Sequence, residues 1–436
     1  MRILQINTAD AGGGAEGTAF NLLRAYRAVG HESWLAVGRK YTQDEGVFEI
    51  PRPTPPGLRG RCFHAMAQAM RSWEGCLPGA RCAARSFDRL ASPQRFADWR
   101  TGRDEHDFPG SHQILDTLPA RPDIIHCHNL HGWYFDLHAL PELSRQAPLI
   151  LNLRDAWLLT GHCAHFFTCE RWKSGCGECP SLEVYPSVRR DATAQNWHEK
   201  QRIFAQCRLF VTAPSQWLLD QARQVIPAQE YRVVPNGIRT EIFTPGDKAA
   251  ARRELGLPPD VPVLMFAAAS TKNLFKDPVT TTSCLERLLQ NCPSLHFLCV
   301  GSDIRVGDAR LHVLPYVKSA EKMAQCYRAA DVFLHAARAE AFGKTITEAM
   351  ACGTPVVATA TGGIPEQMLD GETGFLAPTG DADALAHRVQ QLLAMPAEDQ
   401  ARISAAAAAR GAQFPLERQA RAFLDWYAEL KTASPA

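Results

Sequence analysis

The chain has 436 residues, 46% hydrophobic and 21% charged, enough material for two buried cores. Its 47 basic and 46 acidic residues leave a formal charge of +1, so no overall field favours nucleic acid, and an anionic partner has to be gripped locally. The 14 cysteines are too sparse for a disulfide scaffold, and no apolar run approaches the roughly 18 residues of a spanning helix. Met1 leads straight into RILQIN without an apolar leader, so secretion is not expected and a cytoplasmic protein is. In chain order, strands are predicted at Ile3–Asn7, Ser33–Val37, Ile124–His128, Leu149–Leu153, Leu209–Ala213 and Arg232–Pro235. They continue at Val263–Ala268, His296–Val300, His312–Leu314, Val332–His335, Pro355–Ala358 and Gly374–Leu376. Apolar runs separated by helical stretches indicate parallel sheets covered on both faces, hence two doubly wound, Rossmann-like α/β domains.

The polar, Pro/Gly-rich stretch after residue 238 separates them. The expected domains are 1–238 and 239–414, with a C-terminal amphipathic helix in 415–436 crossing back to the first. One stretch breaks the alternation. Residues 52–103, the heart of an insertion running to about 110, carry ten arginines and apolar residues at helical spacing (Phe63, Met66, Met70, Trp73). This reads either as helices with a solvated basic face or as a surface for anionic lipid or a phosphorylated acceptor.

Several segments carry chemistry. A glycine run after the first strand, with Gly13, Gly14 and Glu16, opens a helix and suits close approach of a diphosphate; it lacks the dinucleotide fingerprint. PDIIHCHNLHGWY sets His126, His128 and His131 at a strand end, where open α/β sheets face their ligands. RDAWLLTGHC places Arg154, Asp155 and Trp157 after the next strand. In EAFGKTITEAMACGTPVVATATGGIPE, residues 340–366, a helix is expected from Lys344 to about Ala351, with Glu340 before it and Glu348 on it. Exposed N–H groups at that helix start can hold a phosphate, and the carboxylates can accept hydrogen bonds from hydroxyls. Cys163, Cys169, Cys176 and Cys179 stand in a C-x5-C-x6-C-x2-C array within a loop at 160–182, which admits a structural zinc site, reduced thiols or one disulfide.

The 340–366 run resembles the signature of glycosyltransferase family 4: Glu340 and Glu348, the Ala349–Gly353 run, Pro355 to Val357, then Gly362, Gly363 and Glu366. The resemblance implies a GT-B fold, two Rossmann-like domains facing across a cleft, and retaining sugar transfer from a nucleotide-sugar donor to a glycan or lipid-linked acceptor. It implies that Glu340 contacts the donor sugar, that Phe342, Gly343, Lys344 and Thr345 line the sugar and diphosphate, and that Glu348 holds the ribose. Gly13, Gly14 and Glu16 would meet the donor from the first domain, with His128 at the reaction centre. Arg154, Asp155 and Trp157 would lie on the acceptor side. Asn236 in VVPNGI matches the family's P-N-G loop, and Lys276 matches a diphosphate-binding lysine. The companion arginine is absent near Ser270 and Thr271, with Lys272 as its expected substitute. A catalytic metal is not expected. The cysteine loop resembles that of an exopolysaccharide-type subgroup, which implies surface polysaccharide synthesis at the inner face of the plasma membrane. An epimerase or a catalytically impaired nucleotide-sugar-binding scaffold on the same fold are the alternatives.

Overall fold

The structure, a computed structural model, describes residues 1–74, 76–267, 273–301 and 308–433. The chain divides into two compact units. One comprises Met1–Thr212, Leu219–Arg232 and Leu424–Ala436; the other comprises Ala213–Leu218 and Val233–Phe423.

The first unit is framed by a seven-stranded sheet: β1 Arg2–Ala9, β2 Glu32–Arg39, β3 Val47–Glu49, β4 Ile124–Cys127, β5 Leu149–Asn152, β6 Leu209–Ala213 and β7 Glu230–Val233. Their order is β3-β2-β1-β4-β5-β6-β7, with β1 parallel to both β2 and β4. Sequence reading missed β3, which pairs Val47 with Leu35 at the edge. Three residues are too few to show a period, and only Val47 of the three is buried. β4 and β5 each also end one residue earlier than expected, which matters below for His128.

The arginine-rich insertion is helical, at Gly57–Ser72, Ala80–Ala91 and Pro93–Thr101. The last of these starts where it does because the Ser92 hydroxyl caps the Arg95 N–H at 3.2 Å and Pro93 occupies the first helical position. The basic face is not uniformly solvated. Arg59, Arg61, Arg81, Arg100 and Arg103 are exposed, whereas Arg52, Arg71, Arg85, Arg89 and Arg95 are partly buried.

The second unit holds a six-stranded parallel sheet: β8 Val263–Ala267, β9 His296–Val300, β10 Leu311–Leu314, β11 Val332–His335, β12 Val356–Thr359 and β13 Gly374–Ala377, in the order β10-β9-β8-β11-β12-β13. Alternate residues of each strand feed different cores. Val263, Met265 and Phe333 join one, which includes Ile346 and Met350. Leu264, Phe266 and Leu334 join the other, with Leu385 and Val389. A sheet apolar on both faces requires helices on both, which is why these strands read as continuous apolar runs.

In both sheets the strand order reverses beside the first strand of the unit, between β1 and β4 and between β8 and β11. Chain leaving the carboxyl ends of these strands borders the crevice where open α/β sheets bind ligands. The final helix, Leu416–Ala433, begins in the second unit and ends in the first.

Candidate active site

In the second unit Glu340 follows β11. Its carboxylate accepts from Lys276 Nζ at 2.5 Å and lies 3.6 Å from His335 Nε2, too far for a hydrogen bond. Burial works to raise the Glu340 carboxyl, but the Lys276 ammonium and the His335 ring override it and hold the group well below the usual carboxylate range. Burial and the same ammonium lower the His335 pKa. The pair therefore sets an ionised carboxylate against Lys276 Nζ at the switch point of the sheet.

The glycine pair behind Glu340 explains part of the motif. Gly362 has φ +56°, and a Cβ there would sit 1.9 Å from the Glu340 carbonyl oxygen. Gly363 N–H donates to that same oxygen at 3.0 Å. Phe342 is buried, Gly343 (φ +93°) precedes the helix Lys344–Ala351, and the Thr345 hydroxyl is buried without a partner among the described residues. The first turn of such a helix leaves N–H groups that no helical carbonyl can take. Glu348, one turn on from Lys344, accepts from Tyr327 Oη at 3.4 Å, and burial raises its carboxyl. Lys272 lies outside the described residues, as do Ser270 and Thr271. Asn236 takes a hydrogen bond at 3.4 Å from Gln419, whose Oε1 also accepts from Gly237 N–H, so the P-N-G turn is tied to the final helix. Glu366 accepts the backbone N–H groups of Gln216 and Trp217, each at 2.7 Å, which makes it a cap for the helix Gln216–Ala222.

In the first unit Gly13 caps the helix Gly14–Ala28, and Gly12 to Gly14 are exposed at the end of β1. A Cβ on Gly13 would meet the Glu16 carboxylate at 2.5 Å. His128 is buried and stacks on His126 with centroids 4.3 Å apart. Its Nε2 pairs with Gln5 Oε1 and its Nδ1 with Arg154, both at 2.8 Å. These partners fix a neutral ring with Nδ1 as acceptor, in keeping with a pKa driven well down by burial, His126 and Arg154. Both ring nitrogens are thus engaged within the first unit. Burial also pushes the Arg154 pKa down to about 10.

His131 stands differently. Its Nε2 meets Asp155 at 2.7 Å, while Nδ1 is buried without a partner among the described residues. Asp155 also accepts the Trp157 N–H at 2.9 Å, and Trp157 packs 5.5 Å from the His131 ring. A pocket lined by His131, Trp133, Trp157, Arg89 and Glu105 adjoins them. Sequence reading named His131 but preferred His128. The strand's end separates them, because β4 stops at Cys127 and the chain turns at Gly132 (φ +112°).

Cys163, Cys169, Cys176 and Cys179 share one loop, and burial raises the Cys163 thiol to about 12 and the Cys176 thiol to about 11. Gly161 N–H donates to Cys176 Sγ at 3.2 Å. Yet the four sulfurs do not form a set of three or more at ligand spacing among the described residues. Among the described residues, His106, Asp136 and His138 form a three-ligand group within 4.8 Å. His138 already bridges Asp136 at 2.8 Å and Glu199 at 2.9 Å, and those carboxylates raise its pKa to about 9, so it stands as an ion-paired imidazolium.

Residues 12–242 match the family described as Glycosyltransferase Family 4, and residues 305–410 match Glycosyl transferases group 1. A D-inositol 3-phosphate glycosyltransferase of Mycobacteroides abscessus is 30% identical over 67% of this chain, and the match spans 65% of that relative, just under two thirds of its length. Sucrose-phosphate synthase from Thermosynechococcus elongatus superposes with TM-score 0.63 at 20% identity over 99% of this chain and 100% of that one. Anabaena Alr3699/HepE, solved with UDP and glucose, gives TM-score 0.63 at 18% identity with the same coverage. The family match covers more than half of the sequence and the likeness in fold nearly all of it, so this chain belongs to glycosyltransferase family 4 and has the GT-B fold.

Proposed function

We propose that the protein transfers a hexose from a nucleotide-diphosphate donor to a glycan or lipid-linked acceptor, with retention at the anomeric carbon. The observation that carries this reading is the Glu340–Lys276 pair beside the start of the helix Lys344–Ala351. Departure of the diphosphate leaves negative charge on phosphate and positive charge on the anomeric carbon. Lys276 and the N–H groups of Gly343 to Thr345 would stabilise the first; Glu340 would accept from sugar hydroxyls and hold the ring in place. Glu348 would take the ribose. Retention follows if the acceptor attacks on the face the diphosphate leaves, with that phosphate taking the acceptor's proton, so no enzyme nucleophile is needed. In the first unit, His131 Nδ1 and Asp155 would position the acceptor hydroxyl, with Gly13, Gly14 and Glu16 near the donor.

The test is a panel of UDP-, GDP- and TDP-sugars, scored by released nucleotide and by the anomeric configuration of the product. An inverted product would overturn retention, and no release from any donor, with or without acceptor, would favour a scaffold.

A surface feature favours a lipid-linked acceptor of surface polysaccharide synthesis. Leu58 (80% exposed) stands at one end of the helix Gly57–Ser72 and Trp73 (56%) and Leu77 (50%) follow its other end, with exposed Arg59, Arg61 and Arg81 near them in the chain. Apolar side chains flanked by cations suit the headgroup boundary of an anionic membrane. No helix among the described residues is long and apolar enough to cross one. Sedimentation with phosphatidylglycerol vesicles, lost in Leu58→Asp/Trp73→Asp, is the expected result; equal sedimentation of the variant would remove membrane contact from the proposal.

A further inference from the structure

The inward half of the arginine-rich insertion encloses a second pocket in the first unit. Arg39, Arg52, Arg71, Arg85 and Arg95 line it, and Asp88 is the carboxylate in its wall. Thr8, Gly132 and Trp133 also border it, which puts it at the carboxyl ends of β1 and β4, next to the His131 pocket that shares Gly132 and Trp133.

The charges here do not balance. Arg71 pairs with Asp88, Arg52 lies 3.6 Å from Glu49, Glu74 serves both Arg39 and Arg81, and Glu105 serves both Arg89 and Arg95. With Arg85, seven guanidiniums share four carboxylates. Arg85 has no carboxylate within ion-pair distance among the described residues; it lies over the Trp133 ring at 3.6 Å. Trp133 itself holds φ +64°, a conformation a bulky residue rarely takes, and this backbone turn sets the indole under Arg85. One donor inside the cluster, Arg71 Nε, is buried without a hydrogen-bond partner among the described residues, and Arg95 Nε has only the Glu105 carboxylate at 3.5 Å. Burial, and then repulsion from Arg71, lowers the Arg52 pKa to about 10. Like charges held together with an unmet donor call for an anion, and planar guanidinium forks match a phosphate's oxygens.

We propose that this pocket binds a phosphate ester carried by the acceptor, held by Arg52, Arg71 and Arg85, with the hydroxyl to be glycosylated reaching toward His131. The assignment of that hydroxyl rests on the transferase reading; the phosphate site does not. The phosphate can come from a soluble sugar phosphate or from a lipid-linked phosphate, and both present the same chemistry.

The experiment titrates the full chain with glucose 6-phosphate and, separately, with phosphatidylcholine vesicles carrying polyprenyl monophosphate. Phosphatidylcholine vesicles without the polyprenyl phosphate serve as control. Saturable binding is expected in one arm, which identifies the source. Arg85→Gln and Arg52→Gln should each weaken it about tenfold or more, as for loss of a charge-assisted hydrogen bond, while Arg100→Gln on the solvated face should not. Arg85 has no ion pair to lose, so Arg85→Gln reports on binding even if Arg52→Gln disturbs folding. No saturable binding in either arm, wild-type affinity in both pocket variants, or equal binding by the phosphate-free vesicles would overturn the proposal. Nucleotide release from donor sugars, measured on the same preparations, tests the transferase reading independently.

Discussion

At the scale of single residues, the chemistry proposed here depends on charges whose state is fixed before substrate arrives. Glu340 is ionised because Lys276 and His335 outweigh its burial. Glu340→Gln keeps the shape and removes the charge. Turnover should fall about 10²-fold or more, with the far-UV spectrum unchanged, since the loss bears on the reacting sugar. A turnover within a few-fold of wild type would refute the role. The two histidines after β4 make a sharper comparison. His128→Asn should chiefly lower the melting temperature, because it breaks a buried array with Gln5 and Arg154. His131→Ala should instead raise the acceptor KM or lower kcat with little change in stability. The reverse pattern in the two variants would return the active-site role to His128.

At the scale of elements, two contacts set local stability. Gly362 sits against the Glu340 carbonyl in a left-handed conformation, so Gly362→Ala has to move the backbone that aims Glu340. A loss of roughly 1–3 kcal/mol, read by denaturant midpoint, and a drop in activity are expected together. His138 ties Asp136 to Glu199 on the helix Thr193–Phe204. Its pKa is raised to about 9 in the folded chain. Its contribution is therefore complete below about pH 6.5, the ordinary histidine value, and disappears as pH rises through about 9. The difference in melting temperature between wild type and His138→Ala should be largest near pH 6 and vanish by pH 10. A difference independent of pH would refute the ion pairing. The same elements show what a sequence can reveal. Long apolar strands and the Glu340–Ala351 run were legible because a doubly covered strand and a strand-to-helix turn each leave a pattern in consecutive residues. The edge strand β3 was not, being three residues long. The inward turn of Arg52, Arg71, Arg85, Arg89 and Arg95 was not legible either: helical spacing groups residues on faces, but which face meets the rest of the unit is decided by partners distant in sequence.

At the scale of the whole molecule, the final helix belongs to both units. Its early part carries Gln419, which bonds Gly237 and Asn236 of the second unit. Its later part supplies Trp426 and Tyr427 to the first, both with no exposed surface. Tyr427 Oη meets Tyr26 at 3.1 Å and His126 at 2.5 Å, and Trp426 donates to Glu230 at 3.0 Å. Tyr427→Phe should cost about 1–3 kcal/mol by leaving buried polar partners unmet, measured as a shift of the thermal transition. No shift would mean that these hydroxyl contacts are dispensable.

That shared helix also sets a timetable. The opening 212 residues leave the ribosome long before residue 427 is made, so their core has a gap, between β4 and the helix Gly14–Ala28, for as long as the rest is being translated. Domains made first normally finish folding first. Here a chain stopped before residue 427 leaves Tyr26 and His126 without the hydroxyl that joins them.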